Sequence, residues 1–232
     1  MELSQNQTAT TLPRGLIFLA SAWLLVSWLI AVGLRPPIHP STSVYKPAAQ
    51  VLLTSIVLGG IIAWPLLRLS GPVRDRPIAQ ALLDLVSLCV LIQIVLWPLR
   101  LVTSWSIARL LLIDLSICAW LTTAGAIIAA AITHRGMFRT CAMALLLAWL
   151  LVPLAVSIGE LPGTENITTS PLGSIWHLTS EGGSLTELNA WIWLGVGWGV
   201  AIFTWGLVPF LSSSRRFQST DDSSSGGDSP LY

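Results

Sequence analysis

Charge is what this sequence has least of. Only 10% of its 232 residues are Asp, Glu, Lys or Arg, against about 25% in a typical soluble domain. A chain so poor in ions cannot solvate a globular surface, and 53% of it is hydrophobic, so its solvent is lipid. The formal net charge of +1 and the lack of a clustered basic face exclude the electrostatic footprint of a nucleic-acid binder. Cysteine is scarce too. Cys89, Cys118 and Cys141 each stand alone in an apolar stretch, with no C-x-x-C or C-x-x-C-H spacing for metal, redox chemistry or covalent haem, and read as small packing residues. Neither H-E-x-x-H, G-x-S-x-G nor a P-loop occurs, so an enzyme, a resident metal and a nucleotide site are not expected.

The apolar residues are gathered into six long runs. A bilayer core takes about 20 residues of helix, and the windows that qualify are 15–34, 48–67, 78–99, 106–132, 140–158 and 188–211. They predict an all-α fold, a bundle of six transmembrane helices in one domain over 15–211, preceded by a short cytoplasmic segment 1–14. Pro47 and Pro77 suit first helical turns, and Ser184-Leu-Thr-Glu187 reads as a capping box opening the last span. In the fourth span Arg109 either snorkels from inside the outer end or marks the boundary. The first run carries Ala31-Val32-Gly33, the small-residue spacing of a cleavage site, but is longer than a usual signal sequence and reads as a span.

Basic residues orient the bundle. With six spans both termini share one side, and that side collects Arg14, Arg68, Arg74, Arg76, Arg135, Arg139, Arg215 and Arg216, leaving Arg35, Lys46, Arg100 and Arg109 opposite. The positive-inside rule makes the termini cytoplasmic. The outer loop 159–187 fits, having no Lys or Arg but Glu160, Glu165, Glu181 and Glu187. The tail 212–232 is rich in Ser, Gly and Asp and is expected to be disordered. Several of the 12 tryptophans, among them Trp64, Trp97, Trp105, Trp191 and Trp205, fall near span ends and suit an aromatic belt.

In lipid, small residues let helices approach closely. Gly195, Gly199 and Gly206 fall within about 40° on a helical wheel and form a smooth face for a partner helix; Ser55, Gly59 and Ala63, and Gly125 with Ala129, repeat the device. Pro65 and Pro153 are candidate kinks in spans two and five. Ionisable groups within the runs are the functional pointers. Asp84 is expected about 9 Å below the cytoplasmic edge, and Gln93 and Asp114 stand at comparable depth on adjacent spans, placed to share a hydrogen bond across a tight hairpin. Imidazoles are missing from the spans. His39 and His177, the latter beside Trp176, lie in outer loops and are the candidate ligands at the outer face, where haem is the one cofactor to consider. Arg68, Arg74 and Arg76 form a candidate cytoplasmic docking surface.

The chain length, cytoplasmic termini and Arg-bearing loop after span two, with Thr133-His134-Arg135-Gly136 followed by an apolar run containing Leu151-Val152-Pro153-Leu154, give the chain an arrangement that resembles the six-span permease subunits of bacterial ABC-type exporters. Among these it looks like the small permease of the haem exporter of cytochrome c maturation. The resemblance implies a permease-like subunit of a bacterial inner-membrane complex, without catalysis of its own, whose partners are other membrane subunits and a separate ATPase. A second function open to the residues is a membrane scaffold that recruits partner proteins. A third is outer-face haem handling, since a sister family in that pathway has six spans and external histidines in its first and third outer loops. That family carries Trp-Trp-Asp in its middle outer loop; here the loop reads Trp97-Pro-Leu-Arg-Leu-Val-Thr-Ser-Trp105, without Asp.

Overall fold

The computed structural model describes residues 13–33, 42–71, 76–103, 105–134, 136–158, 170–179 and 187–221, and every regular element among them is a helix. In chain order these are α1 (Arg14–Ala31), α2 (Thr42–Leu58), α3 (Trp64–Leu69), α4 (Pro77–Thr103), α5 (Ile107–Ile132), α6 (Met137–Ile158), α7 (Pro171–Thr179) and α8 (Glu187–Asp221). One π turn, Gly59–Ala63, joins α2 to α3, so the two form a single rod. Five segments are long and apolar enough to cross a membrane: Arg14–Ala31, Tyr45–Leu69, Pro77–Thr103, Ile107–Ile132 and Asn189–Phe210. The fold is therefore that of an α-helical membrane protein. α6 is itself 22 residues long, and its described side chains, Met137–Leu151, make a mostly apolar stretch; among the described residues five helices meet the length of a span.

The element ends follow local chemistry. Pro77 opens α4, where its missing N–H costs nothing. Ser106 is extended and its hydroxyl accepts the Arg109 N–H at 3.3 Å, an N-cap that starts α5 and leaves Arg109 in its first turn. Pro47 departs from expectation: α2 begins at Thr42 and holds Pro47 inside it, where the ring forgoes a bond to the carbonyl one turn back. Pro65 sits at the start of α3, just past the π turn, so the irregularity of this span takes the form of a widened turn. Residues 181–186, which include Ser184, and the loop residues Arg35, Arg74, Arg135, Glu160 and Glu165 lie outside the described residues. The last helix runs on to Asp221 instead of ending near 211, so the first part of the expected disordered tail is helical.

α5 is the most buried span, and α3, α4, α6, α7 and α8 pack on it. Its small residues decide how closely. A Cβ on Gly125 would stand 3.1 Å from Trp64 Cη2 and 3.6 Å from Trp205 Cζ2, so the bare backbone admits two indoles from α3 and α8. Trp205 Nε1 then donates to the Thr122 carbonyl at 2.9 Å. On α8 the buried positions are Leu194, Gly197, Ala201 and Val208. Gly195, Gly199 and Gly206, expected to meet a partner helix, are exposed with open space where a Cβ would stand. Close approach needs small residues on only one member of a helix pair, and α5 supplies them as Ala119, Gly125, Ala126 and Ala129. α1 lies at the edge of the bundle and is fixed to α2 by polar contacts: Trp23 Nε1 to the Ser55 carbonyl at 3.0 Å, and the Ser27 and Ser55 hydroxyls at 2.7 Å.

The segment between α6 and α8 is not all loop. Ser170 caps α7 by accepting the Gly173 N–H at 2.8 Å, Pro171 takes the first helical position, and Ile175 and Thr179 are wholly buried. α7 packs on α2, α5 and α6, and Gln50 Nε2 donates to Thr179 Oγ1 at 3.1 Å. It thus sits at the end of the bundle where α2 begins.

Candidate functional site

Among the described residues, two polar clusters and a cavity between helices are the candidate sites. The first is built around Asp84, early in α4 and fully buried. A lone carboxylate there would be costly in lipid, and the end of the preceding rod supplies the counter-charge. The Arg68 guanidinium grips both carboxylate oxygens, Nε to Oδ2 and a terminal nitrogen to Oδ1. Gln80 Nε2, one turn before, donates to Oδ1 at 3.0 Å, and Trp64 Nε1 approaches Oδ2 at 3.4 Å. The fork of an arginine matches two carboxylate oxygens in a way an ammonium does not. Nearby, Arg139 at the start of α6 donates through Nη1 to the carbonyls of Leu69 and Gly71, both at 3.1 Å, and so caps α3, while its buried Nε and Nη2 find no partner among the described residues. The expected docking surface is altered accordingly: Arg68 is turned inward onto Asp84, Arg76 is exposed and Arg74 lies outside the described residues.

The second group joins α4 to α5. Gln93 Nε2 donates to Asp114 Oδ1 at 2.6 Å, Trp97 Nε1 donates to Gln93 Oε1 at 2.7 Å, and the Cys118 thiol donates to Asp114 Oδ1 at 3.8 Å. The structure thus brings together Gln93 and Asp114, and adds Trp97 and Cys118. Among the described residues no basic side chain joins these contacts. Asp114 is satisfied by neutral donors, where Asp84 has a guanidinium.

The third is a cavity of about 480 Å³ between α5, α6, α7 and α8. Trp120, Trp149, Trp193 and Leu194 form much of its wall, with Ser116, Thr123, Ser174 and His177 as its few polar side chains. Trp120 and Trp149 meet edge to face with ring centroids 5.2 Å apart. His177 therefore lines an apolar cavity instead of standing in an open loop, whereas its neighbour Trp176 is 54% exposed and turned away from it. His39 lies outside the described residues. His134, at the end of α5, is engaged with Thr133 and the Ala130 carbonyl. No three His, Cys, Asp or Glu side chains converge as a metal site among the described residues.

Sequence reasoning missed the Arg68–Asp84 pair, the contact of Cys118 with Asp114, and the cavity. The first had a signal: a base at the end of one span and an acid early in the next, across a short loop on the same side. The cavity had none, because its walls come from four helices separated in sequence. Compared with known protein families, characterised proteins and solved structures, the chain matches none.

Proposed function

We propose that the chain is a six-span membrane protein, both termini cytoplasmic, that holds an apolar or amphipathic molecule between α5, α6, α7 and α8 as a permease-like subunit of an exporter or maturation complex in a bacterial inner membrane, without catalysis of its own. The cavity carries this reading. Its volume of about 480 Å³ falls within the roughly 300–1,000 Å³ of ligand pockets, and a mostly apolar wall with a few polar groups is their usual composition. The ionisable side chains Asp84 and Asp114 are already engaged with Arg68 and with Gln93, so they offer no charged track for a hydrophilic cargo. Membrane partner subunits and a separate ATPase complete such a system.

Val200 and Leu145 line the cavity from exposed positions, where a larger side chain fills space without entering the core. In lipid nanodiscs a photoreactive alkyl probe should label 116–127 and 190–200 in the native chain, and Val200→Trp and Leu145→Trp should lose that labelling while keeping that of α1. Even labelling of every lipid-facing helix in all three proteins would overturn the binding site. Mild solubilisation should also recover an ATPase with the chain; recovery of the chain alone in every detergent would overturn the exporter assignment and leave the cavity.

One observation favours haem as the occupant: a single imidazole, His177, stands in an apolar wall rich in indoles. His177 would then be the residue to hold the haem iron, and the tryptophans would supply the apolar packing. A pyridine haemochrome signal in the purified protein, lost in His177→Ala, supports this reading, and its lack in the native protein removes it.

A further inference from the structure

α4 and α5 run antiparallel across a short connection, and the register in which Gln93 meets Asp114 also brings Cys89 to Cys118. Cys89 precedes Gln93 by one turn and Cys118 follows Asp114 by one turn. The two thiols interact across the helix interface. Both are free and half-buried, and Cys89 also packs against the hydrophobic core, as the sequence expects. The third cysteine, Cys141, is exposed on α6.

We infer that Cys89 and Cys118 form a two-sulfur site for a soft monovalent metal ion, Cu(I), inside the membrane, with Asp114 positioning one of the sulfurs. Thiolates select soft ions. A structural Zn²⁺ site is almost always closed by four ligands, and among the described residues no three His, Cys, Asp or Glu side chains form a group able to hold a metal ion. Two sulfurs on facing helices would supply the two ligands with which Cu(I) can be held. Each thiol gives up its proton as it binds, so one Cu(I) and two thiols become one S–Cu–S unit and two released protons, with no change of oxidation state. Asp114 Oδ1 already accepts the Cys118 S–H at 3.8 Å, which aims that sulfur and provides the first acceptor for its proton. Gln93 in turn holds the carboxylate, an outer shell of the kind that fixes ligand orientation in metal sites.

The test uses the full chain in detergent or nanodiscs under reducing conditions, with Cu(I) supplied as its complex with a coloured chelator. The native chain should withdraw one Cu(I) per molecule. Cys89→Ser and Cys118→Ser should each abolish that uptake and Cys141→Ser should leave it intact, while Asp114→Asn should weaken it by about ten- to a hundredfold, the usual cost of losing an outer-shell partner. Ag(I) should protect Cys89 and Cys118, and not Cys141, from alkylation read by mass spectrometry, a measurement on the native fold that does not depend on any variant folding. Uptake that persists in the Cys89→Ser, Cys118→Ser double variant would overturn the assignment. So would a native chain that draws no Cu(I), or one purified with the two residues joined as a disulfide that resists reduction.

Discussion

Two aspartates placed in apolar helices meet different fates, and the difference lies in what the neighbouring helix carries. Asp84 has the Arg68 fork, the Gln80 amide and the Trp64 indole around it; Asp114 has an amide and a thiol. A fully buried carboxylate gripped by one guanidinium is an all-or-nothing arrangement, because removing either partner strands the other. Asp84→Ala should therefore cost about 3–5 kcal/mol, whereas the double change Arg68→Met with Asp84→Leu, which removes both charges and keeps volume, should recover most of that loss. Unfolding of the purified chain in mixed micelles would measure both, and equal losses for the single and double variants would show that the charge pair is not what matters. Asp84, Gln93 and Asp114 were each legible in the sequence as costly residues in spans. The partner of Asp84 was not, because Arg68 reads as a cytoplasmic charge until the turn of α3 directs it back between the helices.

At the scale of the element, the rod formed by α2 and α3 shows how one local irregularity sets a packing surface. The π turn Gly59–Ala63 lies against α1 and α5, and its glycines make the room. A Cβ on Gly59 would stand 2.8 Å from Trp23 Nε1, and one on Gly60 would stand 2.2 Å from Leu121 Cδ2. Leu121 is itself buried, so it cannot yield freely. Gly60→Ala is expected to destabilise by about 1–3 kcal/mol through overpacking, and Leu121→Ala should relieve part of that cost, visible as a coupling of about 0.5–3 kcal/mol in a double-mutant cycle. Strict additivity would show that the rod has moved away from α5. The run of apolar residues in this segment announced a helix, and Ser55, Gly59 and Ala63 announced a close contact. The widened turn was not legible, since nothing in the spacing of Gly59, Gly60 and Pro65 distinguishes it from a regular helix. For α8 the glycine face was legible as a pattern but not as a contact, because which face meets α5 depends on the shape α5 presents.

For the whole molecule the number of crossings turns on α6, a 22-residue helix whose described apolar part is Met137–Leu151. The proposed six-span arrangement would place both termini on one side and 159–187 on the other. In a cysteine-free background, Asn6→Cys and Ser223→Cys should react with a membrane-impermeant maleimide only after the cytoplasmic side is opened, and Glu165→Cys should react from outside. Termini that label from opposite sides would reduce the crossings to an odd number and move α6 or α1 out of the bilayer. The sequence by itself determined that this is a helical membrane protein: too few charges to solvate a surface, and apolar runs long enough that each backbone can satisfy its own hydrogen bonds in lipid. Those are local properties of consecutive residues. Only the tertiary structure decided that Arg68 belongs to Asp84, that Cys89 faces Cys118, and that His177 turns into a cavity walled by Trp120, Trp149 and Trp193. Each of these joins residues on different helices, and in a bilayer the direction a helix faces is set by the shapes and polar groups of its neighbours, which no single stretch of sequence contains.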